Sequence, residues 1–173
     1  MLESKLHWIQ QIEPHRIALS SRSAGFKFLA SEIRAWQDAG VSCVVSLLQL
    51  HEAQRFGLEN EQEICEKKGI RFHLFPIPDH ETPKSPEDFS VFVNEILQFV
   101  LNGEAVLIHC YAGIGRTEIL AASLLSALKV PPHQIFDKLG ESRGYEMPET
   151  KAQRKWVEEF IETYRNTLQR RCP

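Results

Sequence analysis

Residues 109–117 contain the side chains with the clearest chemical potential in the chain. The run reads HCYAGIGRT, so five residues separate Cys110 from Arg116, and two of the five are glycines. An ionised cysteine is a strong nucleophile, and the planar fork of arginine binds two oxygens of one phosphate or carboxylate. The combination predicts a site at which a thiolate attacks a bound tetrahedral anion.

The residues between the cysteine and the arginine predict a backbone cradle for that anion. Successive N–H groups in a tight loop can converge on one point, and a helix that begins behind the loop adds the positive end of its dipole. The two glycines are expected to permit backbone angles that other residues resist. We therefore expect phosphate oxygens to be bound by Arg116 and by the main chain of Tyr111, Ala112, Gly113, Ile114 and Gly115.

The same positive field favours the thiolate form of Cys110, because helix N-termini and arginine stabilise a cysteine anion. Thr117 follows Arg116 directly, and its hydroxyl is expected to donate a hydrogen bond to the sulfur. Such a bond would stabilise the sulfur as a leaving group when a covalent intermediate breaks down. Cys110, Arg116 and Thr117 are therefore candidate catalytic residues.

The run also resembles HCxxGxxR(S/T), the signature of the cysteine-dependent protein-tyrosine and dual-specificity phosphatases. The histidine, glycines and threonine around Cys110 make the match much more specific than a cysteine and an arginine alone. The resemblance covers most of the chain and is to a small, atypical branch similar to the dual-specificity enzymes. It implies a phosphomonoester hydrolase that acts through a cysteinyl-phosphate, with no metal or other cofactor.

A second loop supplies a candidate proton donor, which the departure of an alkoxide or phenoxide from phosphorus requires. Asp79 lies in a proline-rich segment, residues 76–83, and precedes Cys110 by 31 residues. This order and separation resemble the general-acid loop of the dual-specificity branch, which implies that Asp79 protonates the leaving group and then activates water. The alternative is a turn-forming aspartate after proline. Glu81 and Asp88 are rival acids, and Asp88 is expected to serve only the start of a helix.

Further residues are candidates for a supporting role. His109 is expected to orient the loop by hydrogen bonds, or else to be a packed histidine at a strand end. Arg143 is a candidate to brace the phosphate loop, and Gln153 resembles the family's glutamine that helps to place the hydrolytic water; a surface role is the alternative for both. Glu118 stands where many relatives have glycine. On the first turn of a helix it is expected to favour the helix dipole yet repel phosphate.

Strands and helices must alternate to position these residues. Valine-rich apolar runs bounded by turn residues predict strands, and apolar stripes at helical spacing predict helices. The predicted strands are residues 16–20, 41–48, 70–77 and 105–110. The predicted helices are residues 31–36, 60–69, 117–128 and 131–139, together with one that starts at residues 85–88 and ends before Gly103 and one that starts at Pro148. This alternation predicts an α/β fold with a central, largely parallel sheet of about four or five strands flanked by helices, as in a dual-specificity phosphatase.

Composition limits the remaining choices. The 173 residues include 20 Lys and Arg and 23 Asp and Glu, for a net charge of −3, so there is no basic excess for nucleic acid. The four cysteines form no CxxC pair, which suggests neither a zinc site nor a disulfide scaffold. No stretch is apolar enough to span a bilayer, and the N-terminus lacks the apolar core of a signal peptide. We expect one catalytic domain over residues 1–173, cytoplasmic, monomeric by default, without metal or membrane insertion.

Two other motifs in the sequence match known signatures only in part. GIGRTE begins like a dinucleotide fingerprint but has Glu118 in place of the third glycine. GESRG matches the serine-hydrolase elbow by letter, but no histidine follows it. A phosphorylated protein is the expected substrate, at tyrosine and also at serine or threonine, with phosphoinositides, inositol phosphates and RNA 5′-phosphates as alternatives. A non-catalytic phosphoprotein-binding module is disfavoured because Cys110, Arg116 and Asp79 are all present.

Overall fold

The computed structural model describes residues 5–144 and 150–171, with side chains as far as residue 164 in the second segment. The strands are β1 His7–Trp8, β2 Arg16–Ser21, β3 Cys43–Ser46, β4 Arg71–Leu74 and β5 Ala105–Cys110. The helices are α1 Leu29–Asp38, α2 Leu50–Arg55, α3 Glu61–Lys67, α4 Pro86–Leu101, α5 Arg116–Ala127, α6 Pro132–Arg143 and α7 Lys151–Arg171, and a 3-10 turn, Phe26–Phe28, precedes α1.

The strands form one five-stranded sheet in the order β1-β2-β5-β3-β4. β1 is antiparallel to β2, and the other neighbours pair in parallel. This confirms the predicted α/β fold with a largely parallel central sheet. Because β5 is the middle strand, the residue at its carboxyl end, Cys110, lies at the centre of the edge where ligands bind in open α/β sheets.

Two apolar clusters cover the two faces of the sheet. One includes apolar side chains of α4, α5, α6 and α7, and the other includes those of α1 and α3. The neighbouring β5 residues Leu107 and Ile108 belong to different clusters, as the alternation of side chains along a strand requires. The strand that carries Cys110 is therefore fixed by packing on both sides.

The helix that follows the acid-bearing loop forms as predicted. Ser85 Oγ accepts a hydrogen bond from the backbone N–H of Asp88 at 3.1 Å, and Pro86 occupies the first turn of α4. The predicted apolar stripe is buried throughout: Phe89, Phe92, Val93, Ile96, Leu97 and Val100. The start of the helix fixes the point at which the chain leaves the acid-bearing loop.

Several predicted boundaries were wrong. α1 begins at Leu29, and Ser31 lies inside its first turn, where its hydroxyl donates to the Phe28 carbonyl at 2.7 Å instead of capping the helix. β3 and β4 are shorter than the predicted strands, and α6 continues to Arg143 before Gly144 ends it in a left-handed conformation. β1 and α2 were not predicted, because two and six residues are too few to show a clear periodicity. The predicted start of the last helix at Pro148 lies outside the described residues.

Candidate active site

The loop after β5 closes over the buried thiol of Cys110, which is 2% exposed. Gly113 has a φ of +75°, and a β-carbon at this position would lie 2.3 Å from the carbonyl oxygen of Ser20. Only glycine fits there, and the Gly113 N–H donates a hydrogen bond to Cys110 Sγ at 3.3 Å. Gly115 has a φ of −105°, so the expectation that both glycines supply unusual backbone angles holds for Gly113 and is wrong for Gly115.

Arg116 begins α5 and is held by groups from two other elements. Its Nη1 donates to Glu52 Oε2 at 2.7 Å and to the Ile77 carbonyl at 3.0 Å, and its Nη2 donates to Glu52 Oε1 at 3.0 Å. Asp79 Oδ1 also lies 3.0 Å from Nη2. Arg116 is only 1% exposed, so its planar fork has a fixed orientation beside the cysteine loop.

Arg116 and Glu52 each stabilise the ionised form of the other. Burial opposes the charge of Arg116, but the hydrogen bonds with Glu52 and the electrostatic attraction of Glu52 and Asp79 help to outweigh it, and the pKa of the guanidinium is raised. For Glu52, burial alone would raise the pKa. The hydrogen bonds from Arg116 and from the Gln49 backbone, together with the positive charge of Arg116, outweigh burial and hold the pKa of Glu52 below its ordinary value. The structure thus contains an ionised, two-pronged pair beneath the loop.

Sequence reasoning missed Glu52. It lies in α2, the short helix that follows β3, and its Oε2 also accepts a hydrogen bond from the Gln49 N–H at 2.9 Å. The available signal was position, because β3 is a parallel neighbour of β5 and the segments after both strands meet at one edge of the sheet. An acid shortly after β3 was therefore a candidate partner for an arginine shortly after β5.

The structure brings Asp79 to the site and leaves both rival acids outside it. The segment that carries Asp79 is attached to the sheet by the Ile77 N–H, which donates to the Leu47 carbonyl at 3.1 Å. The Asp79 side chain is 47% exposed and faces Arg116 on one side and His80 on the other, where Nε2 is 3.5 Å from Oδ2. The side chains of Glu81 and Asp88 are exposed and have no described contact with Arg116.

Gln153 in α7 contacts the same segment from the opposite side. It is fully buried, and its Nε2 donates to the Glu81 carbonyl at 3.2 Å. Its Oε1 accepts a hydrogen bond from the Thr150 hydroxyl at 3.1 Å, which fixes the orientation of the amide. A solvated position for Gln153 is therefore wrong.

Arg143 contacts the cysteine loop, whereas His109 faces Glu61. Arg143 Nη2 donates to the Ala112 carbonyl at 3.1 Å, which is the bracing contact that the sequence led us to expect. His109 is completely buried, and its Nε2 is 3.3 Å from Glu61 Oε1, within ion-pair distance but outside hydrogen-bond geometry. Neither ring nitrogen of His109 makes a hydrogen bond within the described part of the chain, so the expected hydrogen bonds to the loop are absent there.

The two residues after Arg116 behave differently from expectation. The Thr117 hydroxyl is buried and makes no hydrogen bond within the described part of the chain, so the described donor to the sulfur is the Gly113 N–H. Glu118 is also completely buried. Burial raises its pKa to about 9 against the opposing charges of Arg154 and Arg143, so the carboxyl is neutral near pH 7 and adds no negative charge beside the loop. With a neutral carboxyl, the repulsion of phosphate that the sequence led us to expect would not arise.

The residues of the loop rim are more open. Ala112 and Ile114 are partly exposed, and Tyr111 is 45% exposed and stacks on Phe56 with ring centroids 5.1 Å apart. Cys43 and Cys65 are buried free thiols, and burial raises the pKa of each to about 12. Neither is a competing nucleophile near neutral pH.

A parallel sheet whose middle strand ends in a cysteine loop, with a buried arginine at the start of the next helix, defines the class of cysteine-dependent tyrosine and dual-specificity phosphatases. Within that class, the chain belongs to the DSP-PTPase phosphatases. The family model described as "Polymorphic toxin system, DSP-PTPase phosphatase" matches residues 20–128.

Two kinds of relative agree with this assignment. The chain is 30% identical over 126 residues to cyclin-dependent kinase inhibitor 3 of Rattus norvegicus, which is 72% of this chain and 59% of that protein, so it spans less than two thirds of the relative. The crystal structure of kinase associated phosphatase with a serine in place of its catalytic cysteine has a TM-score of 0.82 and 22% identity, covering 95% of this chain and 97% of that one. The structure of PTPMT1 has a TM-score of 0.76 and 17% identity, covering 96% and 99%. The two structural likenesses show the fold.

The described residues contain neither a metal-binding cluster nor a membrane-spanning helix. Within residues 5–144 and 150–171, no three His, Cys, Asp or Glu side chains cluster in a way that could hold a metal ion. None of the described helices combines the length and the apolar character that crossing a bilayer requires.

Proposed function

We propose that this chain hydrolyses phosphomonoesters through a phosphocysteine intermediate and that its substrate is a phosphorylated protein. The observation that supports this most strongly is the fixed position of Arg116 beside the loop over Cys110, with Asp79 on the same guanidinium. The names of the relatives, which include kinase associated phosphatase and several tyrosine phosphatases, support a phosphotyrosine protein as the substrate.

In the first step, the Cys110 thiolate attacks phosphorus and the bond from phosphorus to the ester oxygen breaks. The loop N–H groups and Arg116 stabilise the oxygens on which negative charge accumulates. Asp79, as a carboxylic acid, gives its proton to the departing oxygen, and a phosphocysteine remains.

In the second step, water attacks the phosphorus of the phosphocysteine and the sulfur–phosphorus bond breaks. The Asp79 carboxylate accepts a proton from that water, and the Cys110 thiolate is restored together with inorganic phosphate. Gln153 is suited to position this water, because its buried amide is already oriented against the acid-bearing segment. Arg143 holds the loop by its bond to the Ala112 carbonyl throughout.

The first experiment compares wild type with Cys110→Ser. The variant should lose turnover of p-nitrophenyl phosphate and of a phosphotyrosine peptide but still bind phosphate, because a hydroxyl is a far weaker nucleophile near neutral pH. Mass spectrometry of acid-quenched wild type should find one phosphoryl group on the peptide that contains Cys110. Substantial turnover by the serine variant, or a phosphoryl group on another residue, would refute the mechanism.

The second experiment assigns the proton donor by leaving group. Asp79→Asn should lower kcat/KM for an alkyl or serine phosphate by roughly 10² to 10⁴-fold, and for p-nitrophenyl phosphate by much less, because a good leaving group needs little protonation. Glu81→Gln is the matched control and should behave like wild type with both substrates. Equal losses with both substrates in Asp79→Asn would exclude Asp79 as the acid.

Phosphoinositides are the principal alternative substrate, since PTPMT1 has been crystallised with PI(5)P. The cysteine loop of this chain contains no lysine among its variable residues, which favours less highly charged substrates. Turnover of phosphoinositide vesicles at a kcat/KM above that of phosphopeptides would reverse the assignment.

A further inference from the structure

One arginine beside the cysteine loop pairs with no carboxylate of the described residues and lies against aromatic rings. The Cζ atom of Arg22 lies 4.1 Å from the centroid of the Phe56 ring and 5.6 Å from that of Tyr111, and the two rings are 5.1 Å apart. The three groups lie at the corners of a triangle and not in a line, so the guanidinium is close to both rings. Such contacts hold a cation in place without neutralising its charge.

The cluster is part of the rim of the candidate active site. Ser21 pairs with Cys110 in the parallel register of β2 and β5, so Arg22 follows directly beside the cysteine. The Arg22 N–H donates to the Tyr111 carbonyl at 3.2 Å. Arg22 is thus attached to the first residue of the phosphate-binding loop by its backbone and by its side chain.

Arg22 has hydrogen-bonding capacity that the protein leaves unused. Its Nη1 donates to the Ser23 carbonyl at 2.8 Å, but its buried Nε has no partner in the described part of the chain. The arginines at 34, 71, 116 and 154 each pair with a carboxylate. Because Nε is buried, an anion from outside the chain would approach the exposed part of the guanidinium, whose charge no described carboxylate neutralises.

A second cation lies near the same ring. The Cζ atom of Arg55, at the end of α2, is 5.5 Å from the Phe56 centroid, and the side chain is exposed. Two arginines therefore flank one aromatic surface next to the loop. This concentrates positive charge at one point of a chain whose net charge is −3.

We propose that Arg22, assisted by Arg55, binds a second anionic group of a phosphopeptide substrate, a carboxylate or phosphate close to the phosphorylated residue. The proposal rests on the function proposed above and names the determinant of specificity at the same site. A peptide is favoured over an anionic membrane because the cations are few and fixed at one point, whereas membrane attachment uses several basic residues on a broad surface.

The test measures a ratio between two substrates. Phosphotyrosine peptides that differ only by acidic or by neutral residues on either side are compared in wild type, Arg22→Gln and Arg34→Gln. Arg34 is an exposed arginine of α1 paired with Asp38 and serves as the control. Wild type and Arg34→Gln should prefer the acidic peptide by roughly tenfold in kcat/KM, as expected for a charge-assisted bond at a partly exposed site, and Arg22→Gln should lose that preference.

Further measurements identify the preferred anion and guard against misfolding of the Arg22 variant. A peptide with a second phosphate in place of the acidic residues shows which anion is preferred, and the preference for either should shrink at high salt. If Arg22→Gln does not fold, Arg55→Gln should still reduce the ratio. Equal ratios in wild type and Arg22→Gln, or an effect of Arg22→Gln on phosphoinositide vesicles alone, would overturn the proposal.

The same peptides titrated into Cys110→Ser keep this test independent of turnover. A preference of the serine variant for the acidic peptide, removed by Arg22→Gln, would support the binding site even if the chain hydrolyses no phosphomonoester. Absence of turnover with all substrates would instead refute the proposed function alone.

Discussion

Glu118 offers a direct test of the electrostatics behind the cysteine loop. Both carboxyl oxygens are buried without a hydrogen-bond partner in the described residues, and burial raises the pKa to about 9. Arg154 and Arg143 oppose this shift from nearby. The prediction concerns Glu118→Gln, which keeps the size of the side chain and removes its titration.

The sign follows from where the proton is bound. The pKa of Glu118 is 4.5 in a solvated chain and about 9 in the folded chain, so unfolding between these pH values releases a proton. The stability of wild type therefore falls with rising pH, by up to about 1.4 kcal/mol per pH unit, relative to a chain that lacks this group. The free energy of unfolding of Glu118→Gln minus that of wild type should therefore be larger at about pH 7 than at about pH 5, by about 2.5 kcal/mol.

Urea denaturation followed by tryptophan fluorescence measures this gain, because Trp36 is buried in the folded state. Comparing two pH values cancels any constant cost of burying the glutamine amide. Glu141→Gln, at an exposed position of α6, is the matched control and should show no pH-dependent gain. A difference between Glu118→Gln and wild type that is the same at both pH values would mean that the folded carboxyl is ionised, with the arginine charges outweighing burial.

Three further predictions concern the loop and its arginine. Arg116→Lys should lower kcat/KM by roughly 10²-fold or more in steady-state assays, because lysine keeps the charge but lacks the fork; near-normal kinetics would exclude the clamp. Glu52→Gln should lower the free energy of unfolding by about 3 kcal/mol and reduce kcat/KM, because Arg116 loses its buried partner; an unchanged urea midpoint and rate would contradict this. Gly113→Ala should abolish phosphate binding, measured by calorimetry, whereas Gly144→Ala has the same φ of +75° and open space, and should lose only about 1 kcal/mol of stability. Equal behaviour of the two alanine variants would show that the close approach of Ser20 is unimportant.

The sequence predicted most of the elements that position the site because they are strongly patterned. Strand β5 was predicted with the observed bounds, and the apolar stripe of α4 is buried throughout. The local motif was sufficient to locate the cysteine loop, because the order of cysteine, glycines and arginine is visible within residues 110–116. The contact of Arg143 with the loop also agrees with expectation.

The parts that sequence reasoning missed depend on contacts between distant segments. Glu52 and Arg116 are 64 residues apart, and nothing in the local pattern of either shows the pairing. The raised pKa of Glu118 results from complete burial at the start of a helix. Hydropathy predicts such burial for apolar residues but not for an acid. The bond from Gln153 to the Glu81 carbonyl likewise spans 72 residues.

The acceptors around Arg116 suggest how a substrate enters the site. Glu52 accepts one hydrogen bond from each terminal nitrogen of the guanidinium and is mostly buried, whereas Asp79 is half exposed and lies 3.0 Å from Nη2. A two-pronged buried pair is much stronger than a single contact open to water. A phosphate oxygen that approaches Nη2 therefore displaces Asp79 rather than Glu52. Under the mechanism proposed above, the phosphate would replace Asp79 at Nη2, while Glu52 keeps the arginine fixed and the bond from Nη1 to the Ile77 carbonyl keeps the acid-bearing segment next to it.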